Sequence, residues 1–321
     1  MKIVTPKFLK IILPLGIGVF LIWYSLSDLT PQDRIQLWKQ ITSANPFWVS
    51  ISIIAGILSH LSRAYRWKFL LEPLGYKPRL SVSFSTIMIG YVVNMGIPRS
   101  GELLRGVSLA KYENFPSQKV IGTIITERLI DLLMLLIVVV IAFFCNTDLL
   151  INYLADQNIK PIKLLYTFLL AFSILAIGYY VLKKVEFSFL NKLKKFVLEL
   201  YEGIGSVFKM QKKTPFILHT IFIWAAYIYT FYVLKNSIEV TSSLSFSAVL
   251  MAFVAGAFAF STTNGGIGAY PIAISLVLIL FDIKKTDGEA LGWVIWGVQT
   301  LMNLFVAAIA FIYISFFLKK K

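Results

Sequence analysis

The chain has 321 residues, of which 58% are hydrophobic and only 15% charged, with a mean hydropathy of +0.77. A soluble domain of this size is about one-quarter charged, so the composition excludes a soluble globular protein and indicates an integral membrane protein. A formal net charge of +15 would suit nucleic acid, but the basic residues gather in loops on one expected side of a membrane. That pattern points to anionic inner-leaflet lipids and not to nucleic acid.

The first helix is expected over 8–27, after a basic start. Its apolar run is long enough to span and lacks a small-residue cleavage site, so it reads as a retained helix and not a removed signal peptide. Ile35, Trp38 and Ile41 then make a short, weakly amphipathic piece at the outer face of the membrane, and a second span runs over 47–71. Arg63, Arg66, Trp67 and Lys68 near its end read as inner-interface anchors. Further spans are expected over 118–145, 162–182, 215–235 and 289–318, the last long enough to tilt or project. Between 187 and 208 apolar residues recur at helical spacing with lysines on other faces, as in a helix lying on the inner leaflet.

Two other apolar stretches, 80–98 and 244–281, are interrupted by Gly, Pro and Asn. Charge counting decides how they pass. With the N-terminus inside and both stretches returning to the side they left, inside segments hold 23 Lys and Arg, outside segments hold 7, and Arg128 lies within a helix. This bias is the positive-inside pattern, and it places both termini in the cytoplasm. A complete crossing at 80–98 would misplace the basic loops beyond it. The expected fold is therefore all-α and polytopic, a single domain over 1–321. It has about six spanning helices and two re-entrant or broken hairpins, so up to eight or more membrane segments. The hairpins dip from opposite faces, as in an inverted repeat with its site near the midplane.

Non-helical backbone and charge at membrane depth persist only where protein or a wet cavity surrounds them. In the first hairpin, Gly96 and Pro98 break the helix near Asn94, and Gly101 follows. Arg99, Glu102 and Arg105 then line one side of the resumed helix, where the arginine fork suits a phosphate. An internal Arg–Glu network pairing with Glu127 or Asp131 is the other reading, and the two can coexist. In the helix 118–145, Glu127 and Asp131 share a face while Arg128 points about 100° away. The 13 residues beyond Asp131 cover only about 20 Å, which leaves Asp131 roughly 10 Å inside a core of about 30 Å. In the second hairpin, Thr263, Asn264, Gly265, Gly266 and Gly268 form a polar, glycine-rich break. Its glycines and the half-helix after it could offer amides to an anion. No Gly-Lys-Ser/Thr follows, so this is not a Walker A loop.

Cys145 is the one cysteine, so no internal disulfide can form. His60 and His219 stand alone in apolar segments without carboxylates at ligand spacing, so no metal or other cofactor is expected. Both read as packed or interfacial.

Asn94, Pro98, Arg99, Gly101, Glu102 and Arg105, then Glu127, Arg128 and Asp131, then Gly265, Gly266 and Gly268 occur in an order that resembles the transmembrane domain of lysylphosphatidylglycerol synthases and their stand-alone flippase-like relatives. The resemblance covers the chain roughly from Arg63 onward. It implies a helical bundle with re-entrant segments that moves a lipid between leaflets. Two features depart from that family. Asn264 stands where a proline often precedes the glycine pair, and Tyr270-Pro271 stand where an acid often follows. The chain ends at Lys321, which leaves no room for an aminoacyl-transferase domain, so lipid aminoacylation is not expected. The sequence thus points to a flippase or scramblase of the cytoplasmic membrane acting on an anionic or phosphate-bearing lipid, a phospholipid or polyprenyl phosphate. Homo-oligomers or a lipid-biosynthesis partner fit the same reading. Its rivals are a membrane-embedded lipid-phosphate enzyme and a non-catalytic scaffold.

Overall fold

The computed structural model describes residues 6–27, 29–97, 100–156 and 210–317. The expected span 162–182 and the amphipathic stretch 187–208 lie outside them, as do Pro98 and Arg99. The described residues are helical, with no strand among them. In chain order the helices are α1 (Pro6–Ser27), α2 (Pro31–Thr42), α3 (Pro46–Leu71), α4 (Leu80–Gly96), α5 (Ser100–Glu113), α6 (Ser117–Cys145), α7 (Thr147–Asp156), α8 (Lys213–Leu234), α9 (Phe246–Phe260), α10 (Ala269–Leu278) and α11 (Lys285–Phe317).

Capping residues start several of these where the sequence supplies them. Thr30 and Asp33 close a capping box on α2, and Asn45 caps α3 with proline in its first turn. Ser245 accepts the Ala248 N–H at 3.2 Å to start α9. Asn146 donates to Ala142 O at 2.8 Å and Ser247 O at 3.2 Å, which ties the end of α6 to the start of α9. The amphipathic reading of α2 is revised in detail. Leu37 and Ile41 pack against the protein, whereas Ile35 and Trp38 stay 70% and 68% exposed.

Among the described residues, four helices, α3, α6, α8 and α11, are long and apolar enough to cross a membrane. Their 26, 29, 22 and 33 residues give at least about 33 Å at about 1.5 Å per residue. Of the interrupted stretches, 80–98 holds α4 alone, with α5 resuming beyond it, and 244–281 holds α9 and α10; all four helices are too short for this. The pairs α4/α5 and α9/α10 contain 17 and 14, then 15 and 10 residues. Each pair packs its members against one another.

The order long, short, short, long therefore occurs twice, as α3–α6 and as α8–α11. Packing follows the same repeat. α3 lies along α8; α4 packs on α11 of the other half, and α9 packs on α6. Exchanging the two halves turns each of these contacts into another on the same roster. One apolar cluster joins α3, α4, α5 and α6 through Trp67, Leu71, Ile87, Leu109 and Val120. A second joins α8 to α11 through Phe231, Val249, Ile274 and Leu291.

Small residues set the close approaches, as expected where lipid supplies no hydrophobic drive between helices. A Cβ added to Gly101 would fall 1.8 Å from the Gly90 carbonyl oxygen, so α4 and α5 touch backbone to backbone. On the other hairpin, Gly292 of α11 leaves room for Pro271, whose Cα would lie 2.5 Å from an added Cβ. Gly101→Ala should therefore destabilise the protein in mixed-micelle unfolding by about 3 kcal/mol, the upper end of overpacking costs. Gly122→Ala is the control, because nothing lies within 4 Å of its Cβ position. Equal stability of the two variants would contradict this hairpin packing.

Candidate functional site: a buried arginine–carboxylate cluster beside two helix breaks

The charged residues of α3, α5 and α6 converge. Two carboxylates four residues apart on α6 share one face, and the fold aims that face at α3. Glu127 is fully buried and pairs with Arg63, with Arg105 Nη2 at 3.2 Å and with Arg66 Nη2 at 3.6 Å. Asp131 is 8% exposed and pairs with Arg63 Nη1 at 2.8 Å and Arg66 Nη2 at 3.0 Å. Arg66 also donates to Thr220 Oγ1 of α8 at 3.0 Å. The guanidinium of Arg105 lies 5.0 Å from the Trp67 ring, whose Nε1 donates to Thr123 Oγ1 at 2.9 Å. At the edge of the cluster, Arg128 Nε lies 2.8 Å from Glu102 Oε1, and Arg128 Nη1 is 3.8 Å from Asp131. These last two side chains are partly open, Arg128 at 36% and Glu102 at 32% exposed.

Four arginines thus face three carboxylates, a surplus of one positive charge. Removing charged groups from water costs several kcal/mol each, and multiple charge-assisted bonds are what make such a cluster tolerable. Among the described residues, the cluster is most open at the Arg128 edge. A groove of about 500 Å³ lies on another face of α3, lined by Leu58, Ser62, Tyr65, Leu218, His219 and Phe222. It includes none of the cluster's charged side chains. In its wall Ser62 Oγ and His219 Nδ1 are 2.8 Å apart.

Arg63 and Arg66 are the correction to the sequence reading. They are not interface anchors; they are 3% and 0% exposed and hold both α6 carboxylates. One signal could have found them. Arg63 lies eight residues before the end of α3, about 12 Å along the helix, too deep for an end-of-helix role. It also shares a face with Arg66 and Trp67. Arg105 and Glu127 pair internally, as the Arg–Glu reading of the first hairpin described.

The two breaks meet next to this cluster. Asn94 Oδ1 accepts the Gly101 N–H at 2.7 Å and so caps the start of α5 across the turn. Asn264 Nδ2 reaches the Gly96 carbonyl oxygen at 3.5 Å. Met95 Cγ lies 3.5 Å from the Cβ position of Gly265. Gly265, Gly266 and Gly268 have φ of 64°, 78° and 72°, the left-handed region that glycine enters without a Cβ penalty. Trp296 Nε1 of α11 donates to Gly265 O at 2.7 Å, and Thr263 Oγ1 donates to Ile267 O at 3.0 Å. Gly18 of α1 packs on the same loop, with Ile267 O 3.1 Å from its Cβ position. The sequence-derived site residues therefore form two adjoining groups. Arg105, Glu127 and Asp131, with Glu102 and Arg128 at the edge, make the cluster; Asn94, Gly96, Gly101 and 263–268 make the break contact. Pro98 and Arg99 lie outside the described residues.

A helical protein with several apolar spans and an internal charge cluster is a multi-pass membrane protein. A sequence profile described as the lysylphosphatidylglycerol synthase TM region matches residues 11–308, and the chain belongs to that family. A UPF0104 membrane protein of Methanocaldococcus jannaschii is 28% identical over 165 residues, 50% of this chain and 47% of that protein. The chain thus matches about half the length of this curated relative. No solved structure matches the chain.

The cluster sets a stability contrast. Glu127→Leu leaves buried Arg105 without its carboxylate and takes one of two from Arg63 and Arg66, and should cost about 3–5 kcal/mol in mixed-micelle unfolding. Glu102→Gln breaks a partly exposed pair and should cost about 1 kcal/mol or less. Similar costs for the two substitutions would contradict the burial described.

Proposed function

We propose that this chain moves a phosphate-bearing lipid, a phospholipid or polyprenyl phosphate, between the leaflets of the cytoplasmic membrane. The observation that carries the reading is the meeting of two helix breaks, Gly96 with Asn264 and Met95 with Gly265, beside a charge cluster in an apolar frame. Paired short helices that meet end to end are how membrane transporters build a substrate site from interrupted backbone. On this reading each pair re-enters from its own face, the halves are related as an inverted repeat, and both termini are cytoplasmic.

The surplus positive charge fits an anionic headgroup. Arg128 is the accessible guanidinium, and a phosphate arriving there competes with Glu102 for it. Arg105, Glu127 and Asp131 lie one step inward and rearrange when Glu102 is released. Asn94 sets the start of α5, and with it the position of Glu102. Arg99 follows the first break in sequence and is proposed as a second headgroup-binding arginine. The glycines at 265, 266 and 268 let the second break move as the lipid passes. Glu127 and Asp131 already accept from two or more arginines each, which makes either a poor general base and favours transport over hydrolysis of a lipid phosphate.

Purified protein in liposomes should speed the leaflet exchange of a headgroup-labelled phosphatidylglycerol or polyprenyl phosphate over protein-free liposomes. Arg128→Ala and Arg99→Ala should each slow it by roughly ten- to a hundredfold, the effect of losing one charge-assisted bond to phosphate. Exchange equal to that of empty liposomes across a lipid panel would overturn the proposal.

A further inference from the structure

The groove between α3 and α8 belongs neither to the charge cluster nor to the contact between the helix breaks. Leu58, Leu61 and Tyr65 of α3, Leu218 and Phe222 of α8, and Leu80 at the start of α4 line it, and all six are exposed. Exposed apolar side chains are ordinary on a lipid-facing helix. A recess of about 500 Å³ among them is a shaped surface, of the size that small ligands fill.

The two helices run in opposite directions, since Glu72 at the end of α3 meets Lys212 at the start of α8 while Ser52 meets Thr230. Their residues therefore fall into shared levels along the groove. Leu58 and Phe222 are apolar and lie farthest from the Glu72 end. About one turn nearer that end, Ser62 Oγ and His219 Nδ1 are 2.8 Å apart, and the Tyr65 ring lies 5.0 Å from the imidazole. A neutral imidazole and a hydroxyl carry one N–H and one O–H, and their mutual bond uses only one of the two. A donor is left for an acceptor in either tautomer.

Six residues beyond Ser62 comes Lys68, and six residues before His219 comes Lys213, each about 9 Å along its helix toward the Glu72 end. Lys68 Nζ lies 5.6 Å from the Tyr65 ring, so its charge stands over the groove wall. Lys68 and Lys212 share Glu72, at 3.6 and 2.9 Å. With the exposed Lys213, these three lysines face one carboxylate at the mouth. Apolar, then hydrogen-bonding, then basic is the order in which a phospholipid presents its acyl chain, its glycerol ester and its phosphate.

We propose that this groove is a binding site for an anionic phospholipid. The phosphate lies at Lys68, Lys212 and Lys213, an ester carbonyl accepts from the Ser62–His219 pair, and one acyl chain runs along Leu58, Leu218 and Phe222. The positive-inside reading puts this end in the cytoplasmic leaflet, where anionic lipids concentrate. This lipid is a resident and not the cargo: the groove includes none of the charged side chains of the cluster, and the site stands whether or not the chain moves lipid. It bridges the two halves, because α3 opens the first and α8 the second.

Photolabelling tests this in nanodiscs of phosphatidylcholine. One sample carries a trace of phosphatidylglycerol with a diazirine on an acyl chain, and the other carries the same chain on phosphatidylcholine. Peptides covering 58–65 and 218–222 should be labelled roughly tenfold more by the phosphatidylglycerol probe, the preference that two excess lysines give an anionic lipid. Lys68→Gln with Lys212→Gln alters two side chains that are 36% and 56% exposed, and should bring the two probes within about twofold of each other. Leu218→Trp narrows the groove from an exposed position and should lower labelling of 58–65 by either probe. Equal labelling of the unmodified protein by both probes would mean an ordinary lipid annulus and overturn the proposal. Absence of label from the groove, as when a second copy of the chain covers it, would overturn it too. A preference that survives the double lysine variant would place recognition elsewhere and overturn the assigned site.

Discussion

Charge inside an apolar frame has to be answered by protein, and that requirement organises this molecule. Glu127 and Asp131 could not sit on a helix as apolar as α6 unless opposite charge came from elsewhere. Arg63 and Arg66 supply it from α3, and Arg105 from α5. The pairing fixes the rotation of α3 and α6 about their axes and pins the first hairpin between them. Burial makes each bond costly to lose, whereas the Arg128–Glu102 pair at the open edge costs little. The cluster therefore has a rigid interior and a yielding rim, and in the proposed function the rim is where a charged headgroup arrives.

The two halves share an arrangement but not a chemistry. Each sets a pair of short helices between two long ones and packs one short helix on the opposite half. The first half fills its polar face with arginines and carboxylates. The second places the amides Gln299 and Asn303 at the matching spacing on α11, with its buried carboxylates Asp287 and Glu289 at the start of that helix. α3 belongs to both surroundings: Arg63 and Arg66 face the acids of α6, and Ser52 and His60 face the amides of α11. One helix face thus joins the arginine–carboxylate cluster to the amides of α11, and the glycine-rich break lies against the Gly96 end of α4 where the halves meet.

Much of this was legible in the sequence. The spans over 47–71, 118–145 and 215–235 correspond to α3, α6 and α8 within two residues at each end. The stretch 244–281 holds two short helices and 80–98 one, with α5 starting beyond it at Ser100, because Gly, Pro and Asn break helical runs that are otherwise apolar. The shared face of Glu127 and Asp131 followed from a spacing of four. What stayed hidden depended on tertiary pairing. Arg63 and Arg66 lie near a helix end with Trp67, and apart from the depth of Arg63 nothing local separates a snorkelling arginine from one that turns inward to meet carboxylates more than 60 residues later. His60 was equally opaque, since its neighbours come from four different helices. The closeness of α4 and α5 at Gly90 and Gly101 was also out of reach, because a glycine in a helix shows its packing role only once the facing backbone is known.

The central claim is that the charge cluster lies at membrane depth, and a spin label beside it tests this most directly. Leu132 adjoins Asp131 and is 38% exposed, and Cys145 is the one free cysteine to remove first. A nitroxide on Leu132→Cys in a Cys145→Ser background, reconstituted in bilayers, reports its depth through collisions with dissolved oxygen and with a water-soluble nickel complex. The account expects oxygen to dominate strongly, as it does in hydrocarbon. Free access of the nickel complex to the label would place Asp131 and its arginines at the aqueous surface and contradict the account.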